Sequence, residues 1–397
     1  MPNRTTPPHI GTLIAIAGLA ALSLNIFLPS LAVMAQHFGV TYAWMQLSVS
    51  AYIATTAVIQ IFIGPISDRY GRRPVLLGSI AVFILATLGA LLAPTFTTFF
   101  ICRLLQASIA SGFALSRAVV RDMVPADQAA SMIGYVTMGM SVVPMIGPVI
   151  GGALDAAFGW QASFWMLGLG GVALLWLVWA DLGETATHRA TSFGAQVRAY
   201  PELLQSQRFW GYVLAAAFAS GAFFAFLGGA PFVGAKVYGL DTARLGLYFG
   251  APAVGYLLGN FLSGRFATRM GINRMILLGA LVTTTGLAAL AVLAFAGFAT
   301  AEVFFGLTIA VGLGNGIVLP SANAGMLSVR PQLAGSAAGL GGAITIGGGA
   351  ALSALAGLVL TETSGVMPLI LLMLSTSATS ILCVIWVMRR ARAVGAV

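Results

Sequence analysis

The densest set of ionisable side chains in this sequence is a single loop. Gly64-Pro65-Ile66-Ser67-Asp68-Arg69-Tyr70-Gly71-Arg72-Arg73 sets one carboxylate, Asp68, among three arginines around a glycine. A carboxylate at the end of one helix accepts hydrogen bonds well from the N-terminus of a neighbour, where free N–H groups and the dipole favour an anion. Gly71 permits a tight turn, and the arginines hold the loop at an anionic lipid surface. A decayed copy follows at Gly264 to Asn273: Gly64, Arg69 and Gly71 match Gly264, Arg269 and Gly271 at a constant offset of 200. A loop that served only to orient the chain would need neither the acid nor the second copy.

The remaining chemistry is sparse. Arg103 is the one cation well inside an apolar run, where a charge is costly enough to mark a functional hypothesis, and Gln106 lies on nearly the same helix face. A ligand-contacting role and a structural one, capping carbonyls of the first span, are both open to Arg103. Neutral polar and aromatic side chains complete the candidates for binding a small molecule: Asn25, Tyr52, Gln60, Tyr135, Phe223, Phe224, Phe226, Tyr256, Asn260, Asn315 and Asn323. All ten acids fall at span ends or in loops, and His9, His37 and His188 do the same. Cys102 and Cys383 lack metal-ligand spacing and read as small buried hydrophobes. No catalytic Ser-His pair, metal site or phosphate-binding glycine loop is present, so the chain is expected to be neither an enzyme nor an ATPase, and to hold no cofactor.

The elements that must position these groups are membrane helices. The chain has 397 residues, 59% hydrophobic and 7% charged, against about 25% charged in soluble domains. Twelve apolar runs are long enough to span a bilayer: Gly11 to Met34, Ala43 to Ile66, Pro74 to Ala93, Thr98 to Val120, Ser131 to Ala156, Trp160 to Ala180, Phe209 to Phe232, Ala243 to Phe266, Asn273 to Phe295, Ala301 to Leu327, Ala334 to Leu360 and Val366 to Met388. They lack the alternation of barrel strands and are read as helices, the first retained rather than cleaved as a signal peptide. Of 19 Lys and Arg, only Lys236 and Arg244 fall on one side and Arg103 within a span. The positive-inside rule therefore predicts that both termini are cytoplasmic. The net charge of +9 follows from these loop clusters, and nucleic acid is not an expected partner. The polar break at 181–207 divides a six-helix half, 1–180, from a second, 208–397. Duplicated halves facing each other across a midplane cavity are a transporter architecture.

The loop at Gly64 to Arg73 resembles motif A of the major facilitator superfamily. Arg103-Leu104-Leu105-Gln106-Ala107 is similar to motif B. Gly134, Gly139, Pro144, Gly147, Pro148, Gly151 and Gly152 resemble motif C of drug exporters. Leu28-Pro29-Ser30, Arg121-Asp122 and Gly159-Trp160-Gln161 narrow the resemblance to the Bcr/CflA drug-resistance group of proton antiporters.

The resemblance implies an all-α membrane protein with twelve transmembrane helices in two pseudo-symmetric halves, working as a monomer in the bacterial inner membrane. It implies export of small amphipathic compounds by alternating access, with the proton as coupling ion. It also implies a conformational latch of Asp68, Arg69, Gly71, Arg72, Arg73, Arg121 and Asp122 that engages helix 11 in the outward-open state. Gly139, Pro144, Gly147, Pro148, Gly151 and Gly152 would serve packing or gating, with pure packing as the other reading. One departure matters. The group usually carries an acid just before the Leu-Pro pair of helix 1, and here Asn25 stands there. A specific metabolite transporter without proton coupling through helix 1 is the alternative that this departure permits.

Overall fold

The computed structural model describes residues 8–123, 143, 146–185, 201–330, 333–361 and 364–393. Among them, eleven helices are long and apolar enough to cross a bilayer, and one shorter apolar helix joins them. In chain order they are α1 (Ile10–His37), α2 (Tyr42–Gly64), α3 (Arg72–Leu91), α4 (Phe96–Val120), the shorter α5 (Ile146–Phe158), α6 (Gln161–Asp181), α7 (Gln207–Val237), α8 (Thr242–Ala267), α9 (Ile272–Phe295), α10 (Ala301–Ser328), α11 (Gly339–Val359) and α12 (Met367–Arg390). The helix of α2 runs on to Tyr70, and that of α11 starts at Ala334. No strand occurs among the described residues. Tyr135 and Gly134, Gly139 and Pro144 of the motif C stretch lie outside the described residues.

Side chains satisfy the free N–H groups at several helix starts. Thr41, Thr95, Ser206, Asp241 and Thr300 each accept from a backbone N–H in the first turn of the following helix. At the end of α6, Asp181 accepts from the His9 backbone N–H at 2.9 Å and from the Thr12 hydroxyl, which pins the start of α1 to α6.

The internal repeat is conformational as well as sequential. Gly71 and Gly271 both take left-handed φ, 101° and 81°, at the α2–α3 and α8–α9 turns. Gly39 and Gly239 do the same, both at 63°, before the caps of α2 and α8. A side chain other than glycine is strained there.

Five helices are interrupted. α1 gives way to a 3-10 turn at Leu28–Ser30, where Pro29 has no N–H for the carbonyl of Asn25. α4 tightens into a 3-10 turn at Ala107–Ala110. α7 ends in a π turn at Val233–Val237, just after Pro231. α8 restarts at Ala251 with Pro252 in its first turn, and α10 breaks at Thr308. Such breaks in membrane helices are tolerated where protein or a cavity, rather than lipid, surrounds the backbone.

The two halves, α1–α6 and α7–α12, meet at the end carrying the α1–α2 and α7–α8 loops, the seam end. There the Tyr42 hydroxyl donates to the Gly228 carbonyl at 2.8 Å, and Gln46 donates through Nε2 to the Ser353 carbonyl at 2.7 Å and its hydroxyl at 2.8 Å. α5 and α8 approach backbone to backbone: a Cβ on Gly152 would collide with the Thr242 carbonyl, and one on Gly246 with that of Pro148. At the opposite end, which carries the α2–α3 loop and is called the latch end here, Gly64 of α2 and Gly339 and Gly342 of α11 face open space. The hydrogen bonds and backbone contacts named between the halves thus lie at the seam end, where the wedge between the halves is closed.

Candidate functional site

Inside the wedge lies a cavity of about 300 Å³ lined from α1, α4, α7, α8 and α10. These are the five interrupted helices. On α7, Ser220, Phe223, Phe224 and Leu227 form one stripe at helical spacing. α8 supplies Phe249, Pro252, Ala253 and Tyr256, and α4 supplies Phe113. Polar groups are few. Asn25 is 3% exposed; its Nδ2 donates to the Ala21 carbonyl at 3.3 Å, and its Oδ1 is buried with no hydrogen-bond partner. Asn315, 4% exposed, likewise has a buried Oδ1 without a partner. Among the described residues no charged side chain lines the cavity.

Five of the expected contacts thus converge: Asn25, Phe223, Phe224, Tyr256 and Asn315. Asn323 is exposed and continues the stripe Gly312, Asn315, Leu319 by one turn, which places it at the mouth on the latch side. Phe226 is fully buried behind the lining, stacked on Phe223 and packed against Phe249 and Phe305. Gln60, half-buried on α2, does not line the cavity. Asn260 spends its amide on the Tyr256 carbonyl, 2.9 Å away, and lines nothing. The sequence reading missed Phe113, Phe249 and Ser220, although the spacing of Ser220 from Phe223, Phe224 and Leu227 marks one helical face.

Arg103, Gln106 and Tyr52 do not line the cavity and sit together in the core of the first half. Arg103 and Gln106 are fully buried, and Tyr52 is 1% exposed. The guanidinium carbon lies 4.3 Å from the ring centroids of both Phe27 and Tyr52. The guanidinium donates to Gln106 and, at 3.5 Å, to the Ser23 carbonyl, near the point where the break in α1 removes regular partners. Gln106 in turn donates to the Thr87 hydroxyl at 2.7 Å, and the Tyr52 hydroxyl donates to that of Ser23 at 3.2 Å. Among the described residues Arg103 makes no ion pair. Ring faces and carbonyl oxygens stand where a carboxylate would, which is the capping role left open by the sequence.

At the latch end the hub is Arg72. It pairs with Asp68 at 2.5 Å and with Asp122 at 3.1 Å, and it also donates to the Ser67 hydroxyl. Gly71 makes the turn that brings the N-terminus of α3 to Glu184, which accepts from the backbone N–H groups of Arg72 at 2.9 Å and Arg73 at 3.3 Å. Arg73 itself donates to the Trp179 carbonyl at 2.8 Å. Arg69 is exposed, its guanidinium 5.5 Å from the Tyr70 ring. Glu184 was missed because nothing near it in the sequence marks it; its partner is 112 residues away. Of the motif C glycines and prolines that are described, Gly147, Pro148, Gly151 and Gly152 are buried against α1 and α8, with Gly151 under the Ile26 carbonyl.

Asp68→Asn is expected to lower transport about fivefold or more while ligand affinity changes little, because Asp68 does not line the cavity and its pair with Arg72 orders the α2–α3 turn. Equilibrium binding and vesicle flux on the same preparation check it; a parallel loss of affinity would remove the latch role.

The Major Facilitator Superfamily model matches residues 13–354. The chain is 31% identical over 66% of its length to a chloramphenicol resistance protein of Pseudomonas aeruginosa, spanning 62% of that protein. It is 28% identical to a bicyclomycin resistance protein homolog of Haemophilus influenzae over 92% of each chain. In fold it is similar to a D-xylose-proton symporter, with a TM-score of 0.76, 16% identity and coverage of 95% of this chain and 96% of that one. Two sets of membrane helices wedged around a central cavity, a repeated glycine-arginine turn, and a family match across most of the sequence agree: this chain is a transporter of the major facilitator superfamily.

Proposed function

We propose that the protein exports small amphipathic compounds from a bacterial cell by alternating access, driven by the proton gradient. The observation that carries this reading is the largely apolar cavity lined from both halves, with contacts between the halves at the seam end. The excess of Lys and Arg supports a cytoplasmic latch end, an orientation in which the cavity loads from inside. Relatives named for chloramphenicol and bicyclomycin resistance support export as the direction.

The cavity carries no carboxylate, so the coupling proton needs another carrier, and we assign it to Asp155. This is the described acid with a buried carboxylate oxygen lacking any hydrogen-bond partner. It lies three and four residues beyond Gly152 and Gly151, hence on the helix face that packs against α8 and α1 at the seam. Asp155 is half-buried with the seam closed, and opening the seam would expose its second oxygen as well. In proteoliposomes, an imposed pH gradient is expected to drive uphill accumulation by the native protein, and Asp155→Asn is expected to abolish accumulation while retaining downhill exchange. Flux indifferent to the gradient in the native protein would instead favour a facilitator of one narrow compound class, the reading that the uncharged cavity and Asn25 support.

A further inference from the structure

The geometry points to a specific ligand chemistry: an uncharged molecule with two separated hydrogen-bond donors on an apolar, flat body, held between Asn25 and Asn315. The inference rests on the cavity being the transport site and names what that site selects.

Both carboxamide oxygens are acceptors, both are buried, and neither has a partner. For Asn25 the direction is fixed by its own Nδ2, which is spent on the Ala21 carbonyl one turn back, so the oxygen points off the helix. A buried acceptor without a donor is costly, and a ligand that brings a donor recovers that cost. Hydroxyl and amide N–H groups do so. A carboxylate, phosphate, ether or ketone offers only a third acceptor. The walls that remain are chiefly apolar, with the rings of Phe223, Phe224 and Phe249 among them, and the volume is at the lower end for drug-sized ligands.

Charge is selected against from two directions. No carboxylate lines the cavity to balance a cation, and ring faces repay only a small part of the cost of stripping water from one. The nearest buried charge of the first half, Arg103, is itself positive and is already covered by Phe27 and Tyr52.

The two acceptors also belong to different halves. Asn25 is held beside α5, its Cβ within ordinary contact of the position a side chain on Gly147 would take. Asn315 sits between Gly312 and Gly316, both pressed onto the backbone of α8. A ligand donating to both ties α1 to α10 across the wedge, whereas a ligand with one donor engages one half. The paired contact therefore reports occupancy to both moving bodies.

Calorimetry on the purified full-length protein tests this with three probes: chloramphenicol, which is neutral with two hydroxyls and an amide N–H; its diacetate, with both hydroxyls masked; and tetraphenylphosphonium, a cation without donors. Chloramphenicol is expected to bind at least about tenfold more tightly than either of the others. Asn25→Leu and Asn315→Leu are each expected to weaken chloramphenicol about tenfold, and at most one of them to weaken the diacetate, which keeps only its amide N–H. The probe comparison on the native protein needs no variant and stands even if a variant fails to fold. Equal or tighter binding of the cation or the diacetate overturns the assignment, as does absence of binding by chloramphenicol. Vesicle flux of the same probes separates the two levels: export of the cation with no preference for donors overturns the ligand class but leaves export standing, and failure to move any probe overturns the transport reading itself.

Discussion

Gly152→Val is expected to stop export while the chain still inserts and folds. The α-carbon of Gly152 lies so close to the Thr242 carbonyl and to Gly246 that a side chain meets backbone, which cannot rotate away. Overpacking of this kind costs about 1–3 kcal/mol. Because Gly152 and Thr242 belong to different halves, that cost falls on the conformation with the seam closed and leaves the opened one unaffected. A differential of that size shifts a two-state equilibrium about 5–150-fold. In a background with Cys102 and Cys383 replaced, a cysteine at position 46 should become reactive to an impermeant maleimide added at the seam side of the membrane. Two comparisons sharpen the test. Gly312→Val, whose side chain would strike the Pro252 carbonyl within the second half, is expected to lower folded yield in either conformation, and Gly78→Ala, facing open space, to be silent. Unaltered reactivity at position 46 with normal export in Gly152→Val would show that the seam does not close through this contact.

Arg103→Ala is expected to unfold the first half rather than to weaken a ligand. It removes two ring contacts and leaves Gln106 and the Ser23 carbonyl without their donor in a place that water does not reach. A desolvated cation–π contact is worth about 2 kcal/mol and a buried group left unpaired another 1–3 kcal/mol, so a loss of about 3 kcal/mol or more is expected. Arg103→Lys should recover little of it, since an ammonium cannot lie flat between two rings while reaching two acceptors. Thermal unfolding checks the stability, and ligand affinity per folded molecule checks the assignment. Normal unfolding with lost affinity would return Arg103 to the binding site.

These two residues show what was legible in the sequence and what was not. Helices, their number and the repeat follow from local composition: Gly71 and Gly271 were recognisable as a matched turn because their arginine neighbours match too. Gly39 and Gly239 take the same φ at the same offset, yet only Gly and a following cap residue carry the signal, too little to notice in a glycine-rich chain. Direction is the harder quantity. Arg103 was rightly singled out as a buried cation, but which face of α4 turns to the cavity depends on how α1, α2 and α6 pack around it, and no local spacing encodes that. The same holds for Phe226, which is buried behind the lining ring of Phe223 on which it stacks. Gln46 and Glu184 were missed for a related reason, their partners Ser353 and Arg72 lying 307 and 112 residues away.

The contact between α8 and α10 bears on how such a protein acquires new specificities. Gly255, Gly259, Gly312 and Gly316 let the two backbones touch carbonyl to α-carbon, so the joint between these helices uses almost no side chains. The side chains of Tyr256 and Asn315, each next in sequence to one of these glycines but lining the cavity, are then free to vary without loosening the frame that carries them. A wall built this way separates the positions that mutation can explore from those it cannot. Resistance to a new compound is thus expected to arise by substitutions at Tyr256, Phe223 or Asn315, and laboratory selection should leave all four glycines untouched.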